Sequence, residues 1–244
     1  VPKFLDSAID KVSKGAHKKA TLFTHQHIIK GSSRLLPFVS LNEHLCMQVV
    51  RRVMPAARTE VSRDGQALVV HRSDVDKSGA RHWGMEDFCA LLGLRPAAKY
   101  ETTWERIAKA VRDHVPVANR SATFRHMATL LLLTCALRNA DCHAKNIALL
   151  YTSRNDATLA PAYDFFTTSV YAGYQHNPPG IGLMGKKTWL PGKTLARFIT
   201  ANFGIPEKEQ REMVERISDA VADTAPGVRE KMDSLAGFRD TGKR

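Results

Sequence analysis

The chain has 244 residues, 43% of them hydrophobic, which suits one large domain or two lobes sharing a cleft and argues against wholesale disorder. Its 36 Lys and Arg against 24 Asp and Glu give a formal charge of +12, which favours anionic partners such as nucleotides, nucleic acid or an acidic protein face. Charge alone does not separate these from a solvated basic surface. No apolar stretch reaches the roughly 18 residues of a membrane span, and no apolar signal core follows Val1. The cysteines at 46, 89, 135 and 142 form no CxxC pair, so a reducing, cytoplasmic setting without a zinc site or membrane contact is expected. Val1 is not a natural start, which leaves room for residues upstream.

In chain order, residues 12–19 form a small, basic, glycine-bearing loop, followed by short strands at 21–23 and 27–30 that end at Gly31. The spacing of Leu45, Val49 and Val53 predicts a helix over 40–53, with Ser40 or Asn42 as cap and Pro55 as stop. Asp64-Gly65, flanked by the segments 58–62 and 67–71, predicts a hairpin. The polar stretch 72–84 reads as a crossing. Helices are then expected over 85–92, ended by Gly93, and over 103–114 and 122–137. A pair of short strands is expected at 147–151 and 158–160, and further helices at 195–203, 206–222 and 228–235, with Pro206 in a first helical turn. The tail after Gly237 is polar and expected to fray. The layout is a small β-rich N-terminal part and a larger helical C-terminal part, and nucleotides commonly bind between two such parts.

Candidate chemistry concentrates after the apolar 122–137 helix. Asp141 is followed five residues on by Asn146 and eighteen further on by Asp164. Phosphoryl transfer needs positioning and charge neutralisation more than covalent chemistry. A carboxylate at 141 can orient an acceptor hydroxyl and take its proton. The amide oxygen of Asn146 and the carboxylate of Asp164 are hard ligands suited to magnesium, which takes few protein ligands. Alone, Asp141 reads equally as a turn residue; the order of the three is what points to a kinase-type phosphotransferase. Lys145 can offset phosphate charge, and His143 suits loop-orienting hydrogen bonds better than a base role. Upstream, Lys30 ends a strand and Glu43 opens a helix, the pairing that presents an ammonium to nucleotide phosphates, although each is ordinary by itself. Gly15 and Lys19 could cover phosphates with backbone N–H groups and an ammonium, but one glycine is also a plain basic turn. Gly192-Lys193-Thr194 is not a P-loop, because Lys187 stands where its first glycine belongs. Trp83, Trp104 and Trp189 are too scattered for a single-strand stacking platform.

The segment 139–146 fits the pattern NxDxHxKN, and Ala160-Pro161-Ala162-Tyr163-Asp164 follows it. With Gly15-Ala16-His17-Lys18-Lys19, His27-Ile28-Ile29-Lys30, Asn42-Glu43-His44-Leu45-Cys46, Glu86-Asp87-Phe88-Cys89 and Lys99-Tyr100-Glu101, the chain resembles the HipA family of toxin kinases from about residue 12 to 170. The resemblance implies an α+β, two-lobed protein-kinase-like fold, with a β-rich N-terminal lobe at 1–84 and an all-helical C-terminal lobe at 85–244. It implies an ATP-dependent, magnesium-requiring serine/threonine kinase in which Asp141 is the base, Asn146 and Asp164 bind magnesium and Lys30 contacts ATP. It also implies a helix-turn-helix antitoxin partner, DNA contact through that antitoxin, a substrate linked to translation such as an aminoacyl-tRNA synthetase, and autophosphorylation of the glycine-bearing loop, for which Ser13 is the candidate. The chain begins near the phosphate loop, as in compact relatives whose N-terminal subdomain is a separate protein or absent. Ser73 replaces an aromatic residue that would border adenine, and His17 stands where Gln is common. Two other readings stay open at this level: a kinase-like module that grips DNA or an antitoxin without catalysis, and a small-molecule kinase.

Overall fold

A twenty-residue helix is the hub of the fold because its stretch 127–133 is apolar on nearly every side, and such a stretch has to be covered all round. In the computed structural model, which describes residues 21–76, 78–80, 82–190, 192–235 and 237–242, that helix is α4 (Val117–Ala136). It is packed by α3 (Trp104–His114), α5 (Gly192–Phe203) and α6 (Glu207–Ser234), and by the short strand β7 (Thr158–Leu159). Met127 and Leu133 on α4 are fully buried, and the cluster they belong to runs on through Phe198, Met47 and Leu68.

The first sheet has the order β1-β2-β4-β3, all antiparallel: β1 (Thr21–Phe23), β2 (His27–Gly31), β3 (Thr59–Val61) and β4 (Ala67–His71). The β3–β4 connection turns at Gly65 with φ 71°, and Asp64 Oδ1 accepts from the backbone N–H of Gln66 at 3.1 Å, as the Asp-Gly pair predicts. Helix α1 (Val39–Val53) packs on β2, β3 and β4 and, on its other side, against α6. A second antiparallel sheet, β5-β6-β7, joins β5 (Gly84–Asp87) to β6 (Ala148–Tyr151) and β7. The described residues therefore form a mixed α/β structure with two small sheets.

Several expectations are corrected. The C-terminal part is not all helical, since β5, β6 and β7 lie within it. The expected helix over 85–92 splits into β5 and the one-turn α2 (Phe88–Leu91). Pairing decides this: Glu86 and Asp87 align with Leu149 and Ala148, and the Asp87 carboxylate then caps α2 by accepting from Ala90 N at 2.9 Å. Gly84 permits the pairing, because a Cβ there would come within 2.4 Å of the Tyr151 ring. Gly93 does end α2, with φ 65°.

The two helices expected at 206–222 and 228–235 are one, α6, with Pro226 inside it and Pro206 just before its first turn. Val221, Thr224, Ala225, Val228 and Met232 line one cavity against α1 on both sides of Pro226, so a continuous apolar stripe outweighs the lost backbone bond. Ser40 and Asn42 do not cap α1. They are buried inside it; Phe38 at φ 57° precedes the helix, and Ser40 Oγ instead donates to the Gln66 carbonyl at 3.1 Å. Helix α4 begins five residues earlier than expected, directly after Pro116. Thr103 caps α3 by accepting from Arg106 N at 3.3 Å.

All four cysteines are free, and burial pushes the Cys46 and Cys142 thiols up to about 12, which suits packing rather than reactivity. No helix among the described residues is long and apolar enough to cross a membrane.

Truncating Leu133 to Ala should cost about 2–5 kcal/mol of unfolding free energy, because the rigid α4 neighbourhood closes only partly over the void. Urea unfolding followed by circular dichroism measures it.

Candidate active site

The loop that follows α4 is shaped by backbone constraints before any side chain acts. Arg138 takes a left-handed φ of 52°, and its carbonyl accepts from Thr168 Oγ1 at 2.9 Å. Thr168 Oγ1 accepts in turn from Ala140 N at 3.2 Å, and the buried Asn139 accepts from Asp141 N at 3.2 Å. Behind the loop runs Gly180, where a Cβ would sit 2.3 Å from the Cys142 carbonyl oxygen, so only glycine allows this approach. The loop ends in the 3-10 turn Ala144–Asn146, in which His143 N donates to Asn146 Oδ1 at 3.1 Å and Asn146 N donates back to His143 O at 2.9 Å.

From Asn146 a chain of polar contacts crosses to the first sheet. Asn146 Nδ2 donates to Asp164 Oδ2 at 2.7 Å. The Lys30 ammonium donates to Asp164 Oδ1 at 2.5 Å and to Glu43 Oε1 at 2.6 Å. The side chains of Lys30, Glu43 and Asp164 are 12%, 1% and 23% exposed, so the charges compensate one another in a largely dry setting. Burial by itself would lower the Lys30 pKa; the carboxylates of Asp164 and Glu43 outweigh it and hold the ammonium above its ordinary range. Asp164 has φ 60°, an uncommon conformation for a non-glycine residue and one that clusters at functional sites. Four residues singled out from the sequence, Lys30, Glu43, Asn146 and Asp164, thus share one hydrogen-bonded cluster.

Asp141 lines a cavity of about 370 Å³ together with Tyr100, Phe166, Tyr171, Tyr174 and Lys187. The Tyr100 hydroxyl donates a short hydrogen bond to Asp141 Oδ1. Burial, this hydrogen bond and the charges of Asp141 and Asp164 push the Tyr100 phenol up, so both carboxylates act on one phenol. His143 is buried edge-on to the Tyr100 ring at 5.0 Å, and burial lowers its pKa, which leaves the imidazole neutral at pH 7. Lys145 is half-exposed and lies 3.9 Å from Asp87, so it faces β5 rather than the Lys30 cluster. Gly15, Lys19 and Ser13 fall outside the described residues. Tyr100 is the residue the sequence reading passed over. Its only signal was its place in Lys99-Tyr100-Glu101, to which no role was attached.

Asp164 offers hard carboxylate oxygens beside a lysine, with the Asn146 amide next to it turning Nδ2 to Asp164 and Oδ1 to His143 N, and the Glu43–Lys30–Asp164 triad carries a formal charge of −1. That donor set suits magnesium, which takes one or two protein ligands together with phosphate and water. Among the described residues no group of three or more His, Cys, Asp or Glu side chains forms an all-protein metal cage.

Residues 12–225 match the family described as the HipA-like C-terminal domain, and the chain belongs to that family. The Sinorhizobium fredii protein named Putative kinase Y4mE is 29% identical over 213 residues, 80% of this chain and 49% of that protein. Putative kinase Y4dM of the same organism is 33% identical over 108 residues, 44% of this chain and 25% of that protein. The chain therefore spans a quarter to a half of these relatives. Among solved structures, HipA of Shewanella oneidensis MR-1, from a toxin–antitoxin complex with HipB and operator DNA, superposes with a TM-score of 0.71 at 18% identity, over 89% of this chain and 54% of that one. The Helicobacter pylori proinflammatory kinase CtkA gives 0.52 at 12% identity, over 90% and 91%. At these identities the two structures speak for the fold.

Lys30→Met would leave Glu43 buried without its cation and should cost about 3–5 kcal/mol in urea unfolding, with a smaller loss in Lys30→Met/Glu43→Met. Because the Lys30 pKa is raised, its contribution is full below the ordinary lysine value of about 10.4 and is lost as pH rises beyond it. The gap between wild type and Lys30→Met should therefore be level from about pH 6 to 9 and narrow only above about pH 10.5.

Proposed function

We propose that this member of the HipA-like C-terminal domain family transfers the γ-phosphoryl group of ATP to a serine or threonine hydroxyl of a protein, as the toxin of a toxin–antitoxin pair. The observation that carries this reading is the polar chain from Lys30 through Asp164 to Asn146, which links a strand ammonium held by a helix carboxylate to the Asp164 carboxylate and the Asn146 amide. Kinases that lower the barrier by positioning and charge neutralisation use these groups in this order.

In this reading Lys30, fixed by Glu43, contacts the nucleotide phosphates. Asn146 and Asp164 hold magnesium, which when bound neutralises charge developing on the phosphates. Asp141 orients the acceptor hydroxyl and takes its proton, and the cavity beside it admits the acceptor. The first sheet with α1, residues 1–84, forms the nucleotide-side lobe, and residues 85–244 form the acceptor-side lobe. Gly15 and Lys19 cover the phosphates, and Ser13 is the autophosphorylation candidate. The helix-turn-helix antitoxin, its DNA, a separate N-terminal-subdomain protein and an aminoacyl-tRNA synthetase substrate come to this chain by kinship; the complex formed by the Shewanella HipA supports the first two. The aromatic cavity, within the size range of small-ligand pockets, favours a small-molecule acceptor as the second reading.

Asp141→Asn should lower phosphate incorporation from radiolabelled ATP into lysate proteins by at least about 100-fold. Nucleotide binding, read by fluorescent-analogue titration, should survive. Incorporation at the wild-type rate would remove Asp141 from the reaction, and label appearing only in small metabolites would replace the protein acceptor with the second reading.

A further inference from the structure

We infer that Tyr100 is a positioning residue for phosphoryl transfer: its hydroxyl fixes one oxygen of Asp141 and leaves the other for the acceptor. This rests on the proposed role of Asp141.

A carboxylate on a loop has two soft side-chain torsions, and a base that must meet an acceptor within hydrogen-bond reach cannot leave them free. The Tyr100 hydroxyl supplies the restraint, through a short bond to Oδ1. The phenol is itself held on several sides. Its ring meets His143 edge-on at 5.0 Å, with the ammonium groups of Lys99 and Lys187 4.9 and 5.7 Å from its centroid. Its backbone segment is pinned to the Asp141 loop, because Ala144 N donates to Lys99 O at 3.0 Å. On the other side Gly182 N donates to Thr102 O at 3.2 Å, two residues from the Gly180 that backs the same loop. Tyr100 is thus a rigid donor on a rigid mount. Its raised pKa keeps the proton on the phenol throughout the neutral range, so the bond to Asp141 is present whenever the carboxylate is charged.

Tyr100, Asp141 and Lys187 line one cavity, so an acceptor entering it meets the free oxygen of Asp141 beside the Tyr100 ring. Lys187 at that wall and near the ring, together with Lys99 on the ring, favours an acceptor with a negative group close to its hydroxyl.

The test is Tyr100→Phe, which keeps the ring and its contacts and deletes one hydroxyl. With lysate protein as acceptor and radiolabelled ATP as donor, the maximal rate should fall roughly 10- to 100-fold, part of what a general base contributes. KM for ATP and the melting temperature should stay at wild-type values. In protein labelled with ¹³C at tyrosine Cζ, the Tyr100 resonance should titrate at lower pH in Asp141→Asn than in wild type, since that change removes the acceptor charge. An unimpaired Tyr100→Phe, a rise in KM for ATP without loss of maximal rate, or a Tyr100 titration indifferent to Asp141→Asn overturns the inference. A wild-type chain that transfers no phosphate overturns the proposed function and this role together, whereas an active wild type beside an equally active Tyr100→Phe overturns this role alone.

Discussion

One ammonium between two carboxylates sets the terms for the rest of the structure. Lys30 and Glu43 come from a strand and the helix that follows it, Asp164 from a loop 134 residues beyond Lys30, and they meet where little water reaches. Removing charges from water is costly, and the cost is recovered only when the partners are held in good geometry. The surrounding contacts supply that geometry. Ser40 in α1 donates to the Lys30 carbonyl at 3.3 Å, one residue span from the ammonium it helps to place. Asn42 donates to Thr167 O at 2.9 Å and accepts from Thr167 N at 3.1 Å, so the residue beside Glu43 is bolted to the segment that carries Asp164. Helix α1 is in effect a spacer whose buried polar face fixes the distance between the first sheet and the 164–168 segment.

The second half of the site is built by a different principle. Asp141 and Asn146 sit on a loop with few side-chain anchors, and its shape is dictated by backbone approach. The left-handed Arg138 turns the chain out of α4, Thr168 holds the turn from one side, and Gly180 presses on it from the other. Helix α4, buried throughout 127–134, is the base from which this loop departs. A rigid helix followed by a tightly backed loop is a sound way to hold a carboxylate to within a fraction of an ångström.

At the site itself the two halves meet through the hydrogen bond from Asn146 to Asp164, backed by the Thr168 contacts to Arg138 and Ala140. Its partners are joined by β6 and β7, the strands whose pairing with β5 also turned an expected helix into a strand. The second sheet is therefore the device that brings the end of the 139–146 loop back to Asp164. Its pairing extends the frame from Gly84, at the far edge of the first sheet's segment, to the Asp164 turn.

Much of this was legible beforehand. Strands β1 and β4 and most helix positions followed from local periodicity and from punctuation such as Asp64-Gly65 and Gly93. The candidate residues 30, 43, 141, 146 and 164 were nominated by residue types in order together with the family resemblance, and the structure brings 30, 43, 146 and 164 into one hydrogen-bonded cluster. Other features depended on partners far away in the chain. Ser40 and Asn42 have the composition of helix caps, but their acceptors lie on Gln66 and Thr167, so they are buried instead. Residues 85–87 alternate ambiguously until Leu149 and Ala148 arrive to pair with them. Pro226 ends a helix on propensity, yet a cavity wall shared with α1 carries the helix through. Tyr100 acquires its contact with Asp141 only when segments 41 residues apart close together. The sequence alone thus determined which groups were available and in what order, since composition and short-range pattern are local properties. Tertiary structure alone decided which oxygen faces which ammonium, and which phenol holds which carboxylate, because those pairings are set by packing between distant segments.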